Sequence, residues 1–372
     1  MSSSPPVTAP PPPRLRPATV SWVALAWSAV VLTLGLGWLS GVVPVGVPDG
    51  FGSLSSLLPA GSAGVLALVL GTVGVVCAVF MLRARGSGGR LVEAGAWVLA
   101  GVALLVFVDG QLLSWLGYSM ILPVVGWFVD GLTASWVEAT FTASHLATLF
   151  FTAGAAVWAV AALTHRRAVR LACEWCGRAP GWTHGVERSV RVRALGVGRA
   201  AVTVACVVAL YYPSLRFPWL FGVPVGIDEE RFAAMVADGD TLLIGVGLGT
   251  AAVVGVVLMV GLVQRWGVRF PRWMVGLAGR RVPVWLAVAP ATLVAMALVS
   301  MGRSTVVELL GDQGSLLTMD PVHAGAFVSM AVWGVALGVA TAAYVVRRRA
   351  ECGVCGRGLP EVAPRDLRAV GV

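Results

Sequence analysis

Eight apolar stretches, each near or above the length of a bilayer's hydrocarbon core, constrain this chain more than any motif in it. They run over residues 20–43, 61–82, 91–108, 145–164, 200–215, 241–263, 282–301 and 323–346. A helix rising 1.5 Å per residue needs about 20 apolar residues to cross such a core. Lipid supplies no water to satisfy backbone N–H and C=O groups, and none of the stretches alternates as a barrel strand does, so helix is the expected state. Composition agrees: of 372 residues, 58% are hydrophobic and 12% charged, too apolar for an ordinary soluble surface. The expected fold class is all-α integral membrane, with eight transmembrane helices.

The first apolar stretch is too long for the core of a cleaved signal peptide and is read as a span. Residues 1–19 before it are rich in Ser and Pro and are expected to be a disordered tail. All 27 basic residues are arginine, which fits the codon usage of a GC-rich bacterial genome, and the net charge is +9. That charge does not suggest nucleic acid, because no soluble domain with base-contacting polar residues lies between the apolar runs.

Arginine instead reports topology. Alternate loops carry 24 of the 27, and only Arg216, Arg231 and Arg303 fall on the other side. The positive-inside rule then puts both termini in the cytoplasm of a multi-pass protein of the bacterial plasma membrane. Arg166, Arg167 and Arg170, like Arg347, Arg348 and Arg349, are candidate contacts for anionic lipid headgroups as well as anchors in the bilayer. Residues 112–129 are apolar enough for a ninth span, but that span would send the eight-arginine loop outside. Pro123 and the Trp and Tyr content fit an interfacial or re-entrant segment better.

The chain also repeats itself. Trp38-Leu39 with Val42, Pro44 and Gly46 resembles Trp219-Leu220 with Val223, Pro224 and Gly226; Leu70-Gly71-Thr72 matches Leu248-Gly249-Thr250; Gly89-Arg90 matches Gly279-Arg280. His145 and His323 open equivalent spans, and Cys173-Glu-Trp-Cys176-Gly-Arg178 and Cys352-Gly-Val-Cys355-Gly-Arg357 close the two halves. The same order at offsets near 180 argues for duplication. The expected organisation is a first four-helix repeat over 20–178, a cytoplasmic linker over 179–198, a second four-helix repeat over 199–357 and a cytoplasmic tail over 358–372. Four spans per unit keep the two copies in parallel orientation, related by a pseudo-twofold along the membrane normal.

Tyr211-Tyr-Pro-Ser-Leu-Arg216-Phe-Pro-Trp219-Leu-Phe-Gly222, together with the Cys-x-x-Cys-Gly-Arg endings, resembles uncharacterised polytopic membrane proteins of actinobacterial type, some with a single four-helix unit. The first copy, 35–41, lacks the arginine. The resemblance implies a membrane fold and carries no activity with it.

Each Cys-x-x-Cys-Gly has the form of half a metal site. Two thiolates two residues apart can take adjacent corners of a tetrahedron, and the following glycine permits a positive φ that turns backbone N–H groups toward sulfur. Cys173, Cys176, Cys352 and Cys355 are therefore the candidate metal ligands, for one structural zinc shared between the repeats. Other readings are a metal held with His184 or through a dimer, thiol–disulfide chemistry, and reduced pairs without metal. No thioredoxin-like βαβ pattern surrounds either pair, which counts against redox catalysis. Cys77 and Cys206 sit inside apolar spans and read as core.

His145 and His323 form a candidate outer-face pair for metal, proton or substrate, against the simpler reading of helix-end histidines bonded to loop backbone. Asp109 and Glu93 read as boundary residues. Charge is scarce inside the spans, which disfavours an ion-coupled transporter, and no phosphate loop, nucleophile elbow or dinucleotide fingerprint is present. The expected function is a non-enzymatic scaffold or regulatory membrane protein with a cytoplasmic four-cysteine clip. The alternatives are a transporter of a neutral or apolar solute and a membrane thiol-redox protein.

Overall fold

Membrane-length apolar runs become helices, and among the described residues the single β pairing is an isolated bridge between Arg269 and Arg281. The computed structural model describes residues 17–43, 52, 54–59, 61–83, 89–125, 131–238, 240–311 and 320–360. Most of the expected N-terminal and C-terminal tails, and residues 126–130 of the contested stretch, lie outside that set.

In chain order the helices are α1 (Pro17–Ser40), α2 (Ser62–Arg83), α3 (Gly89–Phe107), α4 (Gln111–Val125), α5 (Leu132–Thr140) and α6 (Ala143–Val169). They continue with α7 (His184–Arg216), α8 (Glu229–Asp238), α9 (Asp240–Gly261), α10 (Val284–Leu310) and α11 (Pro321–Arg347). Seven of them, α1, α2, α3, α6, α7, α10 and α11, are long and apolar enough to cross a membrane. In α9, the sixth expected span, the described apolar stretch is the shorter Gly245–Gly261. The chain is thus an all-helical, multi-pass membrane protein.

Two boundaries differ from expectation, each for a local reason. Thr183 caps α7 by accepting a hydrogen bond from the Val186 N–H at 3.2 Å, so the expected linker 179–198 is helical from His184 onward. Helix α10 runs past 301 to Leu310 and carries Arg303 with it. That arginine finds carbonyl acceptors inside the protein, on Gly52 and Val108, and so does not need a loop in water.

The helices pack around two apolar cores. In the first, α1 lies along α2 and α3 along α6, with further contacts of α1 to α6 and α2 to α3; Trp27, Phe107, Phe151 and Trp158 fill the centre. Close approach here demands a residue without a side chain, since a Cβ on Gly154 would lie 2.0 Å from the Trp27 ring. In the second, α11 packs against both α7 and α10, and α9 against α7, around Tyr212, Leu298, Trp333 and Tyr344.

Among the described residues, the chain past α3 turns into a pair of short helices. Phe107 at the end of α3 stacks on Phe151 near the start of α6, ring centroids 4.2 Å apart. Between them α4 and α5 run antiparallel, with Trp115 Nε1 donating to Thr140 Oγ1 at 2.9 Å and Trp136 Nε1 to Ser119 Oγ at 3.2 Å. The excursion leaves and returns at one end of the bundle, and α4 also lies on α10.

Candidate metal centre

At the end of α6 the Arg170 N–H still bonds the Arg166 carbonyl, and the Ala172 N–H reaches back to the Arg167 carbonyl at 2.9 Å. Leu171 takes a positive φ of 50° there and turns the chain away from the helix axis. The knuckle follows. Cys173 N–H bonds the Arg178 carbonyl at 3.0 Å, and Gly177 N–H bonds the Cys173 carbonyl at 2.7 Å, with Gly177 at φ 72°. After α11 the same pattern recurs: Cys352 N–H to Arg357 O at 3.0 Å, Gly356 N–H to Cys352 O at 2.8 Å, and Gly356 at φ 65°. A side chain with a Cβ is strained at such φ values, which explains glycine after each second cysteine.

The two knuckles face each other. Cys173 Sγ lies 4.0 Å from Cys352 Sγ and Cys176 Sγ 3.6 Å from Cys355 Sγ, and all four sulfurs lie within 4.8 Å of one another. A tetrahedron with Zn–S bonds of about 2.3 Å has S···S edges of about 3.8 Å, so the four atoms stand close to the corners a single ion requires. None of the six cysteines is in a disulfide. His184, weighed as a substitute ligand, is exposed and rests on the Trp182 ring at 4.8 Å; it is not part of the sulfur cluster.

Positive charge surrounds the sulfurs. A four-thiolate zinc centre carries a net charge of about −2, and the Arg178 and Arg349 guanidiniums both interact with Cys176. Arg178, 3% exposed, is fixed from several directions. It makes a two-pronged pair with Glu187 at 2.9 and 2.8 Å and donates to the Arg349, Ala350 and Arg357 carbonyls. The hydrogen bonds to Glu187 raise the Arg178 pKa above its ordinary range. Trp182 Nε1 completes the Glu187 carboxylate at 2.9 Å. Arg191, one turn further along α7, donates to the carbonyls of Arg349, Leu359 and Pro360.

The thiols themselves are uneven. Burial pushes Cys352 up, but N–H groups of Cys355 and Val354 aimed at its sulfur outweigh this and leave it at about 7. Burial and the neighbouring thiols push Cys355 up to about 12.

The arginine cluster after α11 is not where the sequence reading put it. Arg347 and Arg348 are 4% and 6% exposed and point inward, so they are not free to meet lipid headgroups. Arg347 bonds the Leu262 carbonyl at 2.8 Å, and Arg348 bonds the Gly267 and Val282 carbonyls at 2.9 Å each. These are the carbonyls of the chain joining α9 to α10, which the end of α11 holds in place.

His145 and His323 are both buried, each in its own surroundings. His145 lies beside Trp115, ring centroids 5.9 Å apart, while His323 Nδ1 is 2.6 Å from the Gly226 carbonyl and its ring 5.7 Å from that of Trp219. Helix-end bonding to loop backbone therefore describes His323, and no contact among the described residues joins the two rings. Glu93, read as a boundary residue, pairs with Arg166 at 3.6 Å.

Polar groups that the sequence reading did not connect meet at the end of the bundle opposite the cysteines. Ser300 Oγ donates to the Val108 and Asp109 carbonyls at 2.7 and 2.9 Å, and Arg303 bonds Val108 and Gly52. Gly52 N–H in turn bonds Glu308 at 2.6 Å. The Asp109 side chain accepts from Gln111 N–H and Thr148 Oγ1 through one oxygen, while the other oxygen is buried without a partner. Its only signal in sequence was an acid at the end of an apolar run, and Arg303 looked like a loop residue.

The fold and site together define a polytopic helical membrane protein with a four-cysteine cluster at one end of its bundle. No protein-family model matches the chain, and no solved structure matches it.

Proposed function

We propose that this chain is a non-enzymatic scaffold or regulatory protein of the bacterial inner membrane, in which one structural zinc held by Cys173, Cys176, Cys352 and Cys355 clips two tandem, parallel four-helix repeats together on the cytoplasmic side. The observation that carries the reading is the approach of four sulfurs from two distant knuckles to within 4.8 Å of one another. Supporting it are the matching backbone bonds of the two knuckles and the charge of Arg178 and Arg349 beside Cys176. In the repeat reading, α1, α2, α3 and α6 correspond to α7, α9, α10 and α11, and α4 with α5 is an addition to the first unit. The arginine bias of the loops supports the cytoplasmic placement of both termini. The likeness to actinobacterial-type membrane proteins with Cys-x-x-Cys-Gly-Arg endings belongs to the same proposal.

Zinc in a closed four-thiolate shell has no open position and no redox chemistry, so it supplies a cross-link. The test is elemental analysis of purified protein beside the double variant Cys173→Ser, Cys352→Ser. Close to one zinc per chain is expected for the wild type and a small fraction of that for the variant. The same negligible content in both would overturn the metal clip.

A further inference from the structure

With Arg347 and Arg348 turned inward, a different set of arginines is left facing out on the cysteine end of the molecule. Between α9 and α10 the chain forms a braced hairpin. Phe270 N–H bonds the Arg280 carbonyl, Gly279 N–H the Phe270 carbonyl, and Val282 N–H the Val268 carbonyl, at 3.0, 3.0 and 2.9 Å. Its base is pinned to the last turn of α11 by Tyr344 Oη and Arg348 on the Gly267 carbonyl and by Arg348 on the Val282 carbonyl. Val268 and Val282 are buried beneath it.

What the hairpin presents is the reverse of a buried base. Arg269, Arg272, Arg280 and Arg281 are all exposed, and among the described residues none of the four is in an ion pair. Trp273 is 77% and Val275 97% exposed at the tip. An exposed tryptophan among unpaired guanidiniums, in a segment running directly into the membrane-length helix α10, suits one environment well. The indole ring is at home at headgroup depth, and guanidinium binds phosphate in two-pronged fashion.

We propose that the 268–282 hairpin is a docking platform for anionic phospholipid headgroups of the adjoining leaflet, with Trp273 and Val275 entering the interface and the four arginines holding phosphate. Charge complementarity, together with continuity into the exposed apolar start of α10, where Trp285 is 69% and Leu286 44% exposed, selects lipid over a protein partner. Because α11 supports the hairpin and runs on into Cys352, lipid engagement would be felt at the end of the helix that presents the second knuckle. The inference goes beyond the zinc clip and does not depend on it or on which compartment this face meets.

Purified full-length protein in mild detergent is titrated with phosphatidylglycerol or phosphatidylcholine, and retained lipid is counted by native mass spectrometry. The expected result is preferential retention of phosphatidylglycerol, weakened about tenfold or more in Arg272→Gln, Arg280→Gln, Arg281→Gln. Retention should be restored only in part when the same three are lysine, since the charge returns without the two-pronged contact, and be unaltered by excess inorganic phosphate. A control triple variant, Arg188→Gln, Arg193→Gln, Arg199→Gln, removes equal charge from exposed positions of α7 and should change retention less than about twofold. If the glutamine hairpin variant does not fold, Trp273→Ser with Val275→Ser reads the same surface and should also weaken retention. Equal loss in both triple variants, equal retention of the two lipids, or displacement by inorganic phosphate would each overturn the proposal. So would hairpin variants, arginine and tip alike, that bind as the wild type does.

Discussion

Arg178 and Arg357, the residues that end the two knuckles, each bond the other's segment. Arg178 Nη1 reaches the Arg357 carbonyl at 3.0 Å, and Arg357 Nη1 reaches the Ala179 carbonyl at 2.9 Å. The exchange is not symmetric in its surroundings, because Arg178 is buried on Glu187 and Arg357 is half-exposed. The sulfurs are thus brought together by arginine-to-backbone bonds as well as by any ion they hold. A site arranged in this way gives up less conformational freedom when metal binds.

Replacing Arg178 by alanine is expected to be among the most damaging single changes at this end of the molecule. It removes three bonds to carbonyls of the second half and strips the buried Glu187 carboxylate of its two-pronged partner, leaving it the Trp182 hydrogen bond and the charges of Arg191 and Arg349. Breaking a buried pair from one side typically costs about 3–5 kcal/mol. Thermal unfolding in detergent should register that loss, and zinc should leave more readily in competition with a chelator. Lysine should rescue little, since a single ammonium cannot copy the two-pronged contact. Adding Glu187→Gln should recover part of the loss, measured as a double-mutant cycle.

Zinc binding should release protons, and affinity should fall as pH falls. Burial and the neighbouring thiols push Cys355 well up, so it must lose a proton before it can ligate an ion. Release of at least about one proton per chain is therefore expected when an ion binds. Calorimetry in buffers of different ionisation enthalpy measures the number. The sign is that of metal competing with protons, so affinity measured from pH 6 to pH 8 must rise.

The sulfur geometry also predicts how the metal-free protein oxidises. With Cys176 and Cys355 sulfurs 3.6 Å apart, a modest movement would bring them to bonding distance, and the resulting bridge would join the two halves. After chelation and mild oxidation, mass spectrometry under non-reducing conditions should find the 173–178 and 352–357 regions linked. Zinc-loaded protein treated in the same way should resist. Equal linkage in both states would mean that no ion protects the thiols.

Much of this was legible in sequence, and the omissions have physical causes. The apolar lengths gave the spans because a bilayer core tests length and hydropathy directly, and the duplicated Cys-x-x-Cys-Gly signalled four ligands before any fold placed them together. What no pattern showed was which arginines face inward. Arg178, Arg191, Arg347 and Arg348 read like the exposed Arg188 and Arg272, because burial of a guanidinium depends on carbonyls supplied from elsewhere in the chain. Arg303 follows the apolar run that ends at 301 and reads as a loop residue for the same reason, since its acceptors lie on Val108 and Gly52, about 200 and 250 positions earlier. Only the lone Glu187 in an arginine-rich stretch, one turn before Arg191, hinted at a buried network.

Asp109 gives the sharpest test of the opposite end. It lies in the joint between α3 and α4, 1% exposed, with one carboxylate oxygen unpartnered. Burial pushes its pKa to about 6, against the pull of the Gln111 N–H and of Arg303. A carboxyl whose folded value is raised weakens the fold when it ionises. The cost is absent below about pH 4, grows as pH rises to about 6 and is complete above it. A shift of this size corresponds to about 3 kcal/mol at most. Asp109→Asn removes the cost and keeps an oxygen that accepts from Thr148 and Gln111. The variant should therefore melt at a higher temperature than wild type at pH 8, with the difference shrinking toward pH 4. Melting curves in detergent across that range decide it, and a variant less stable than wild type at pH 8 would show that attraction to Arg303 outweighs burial.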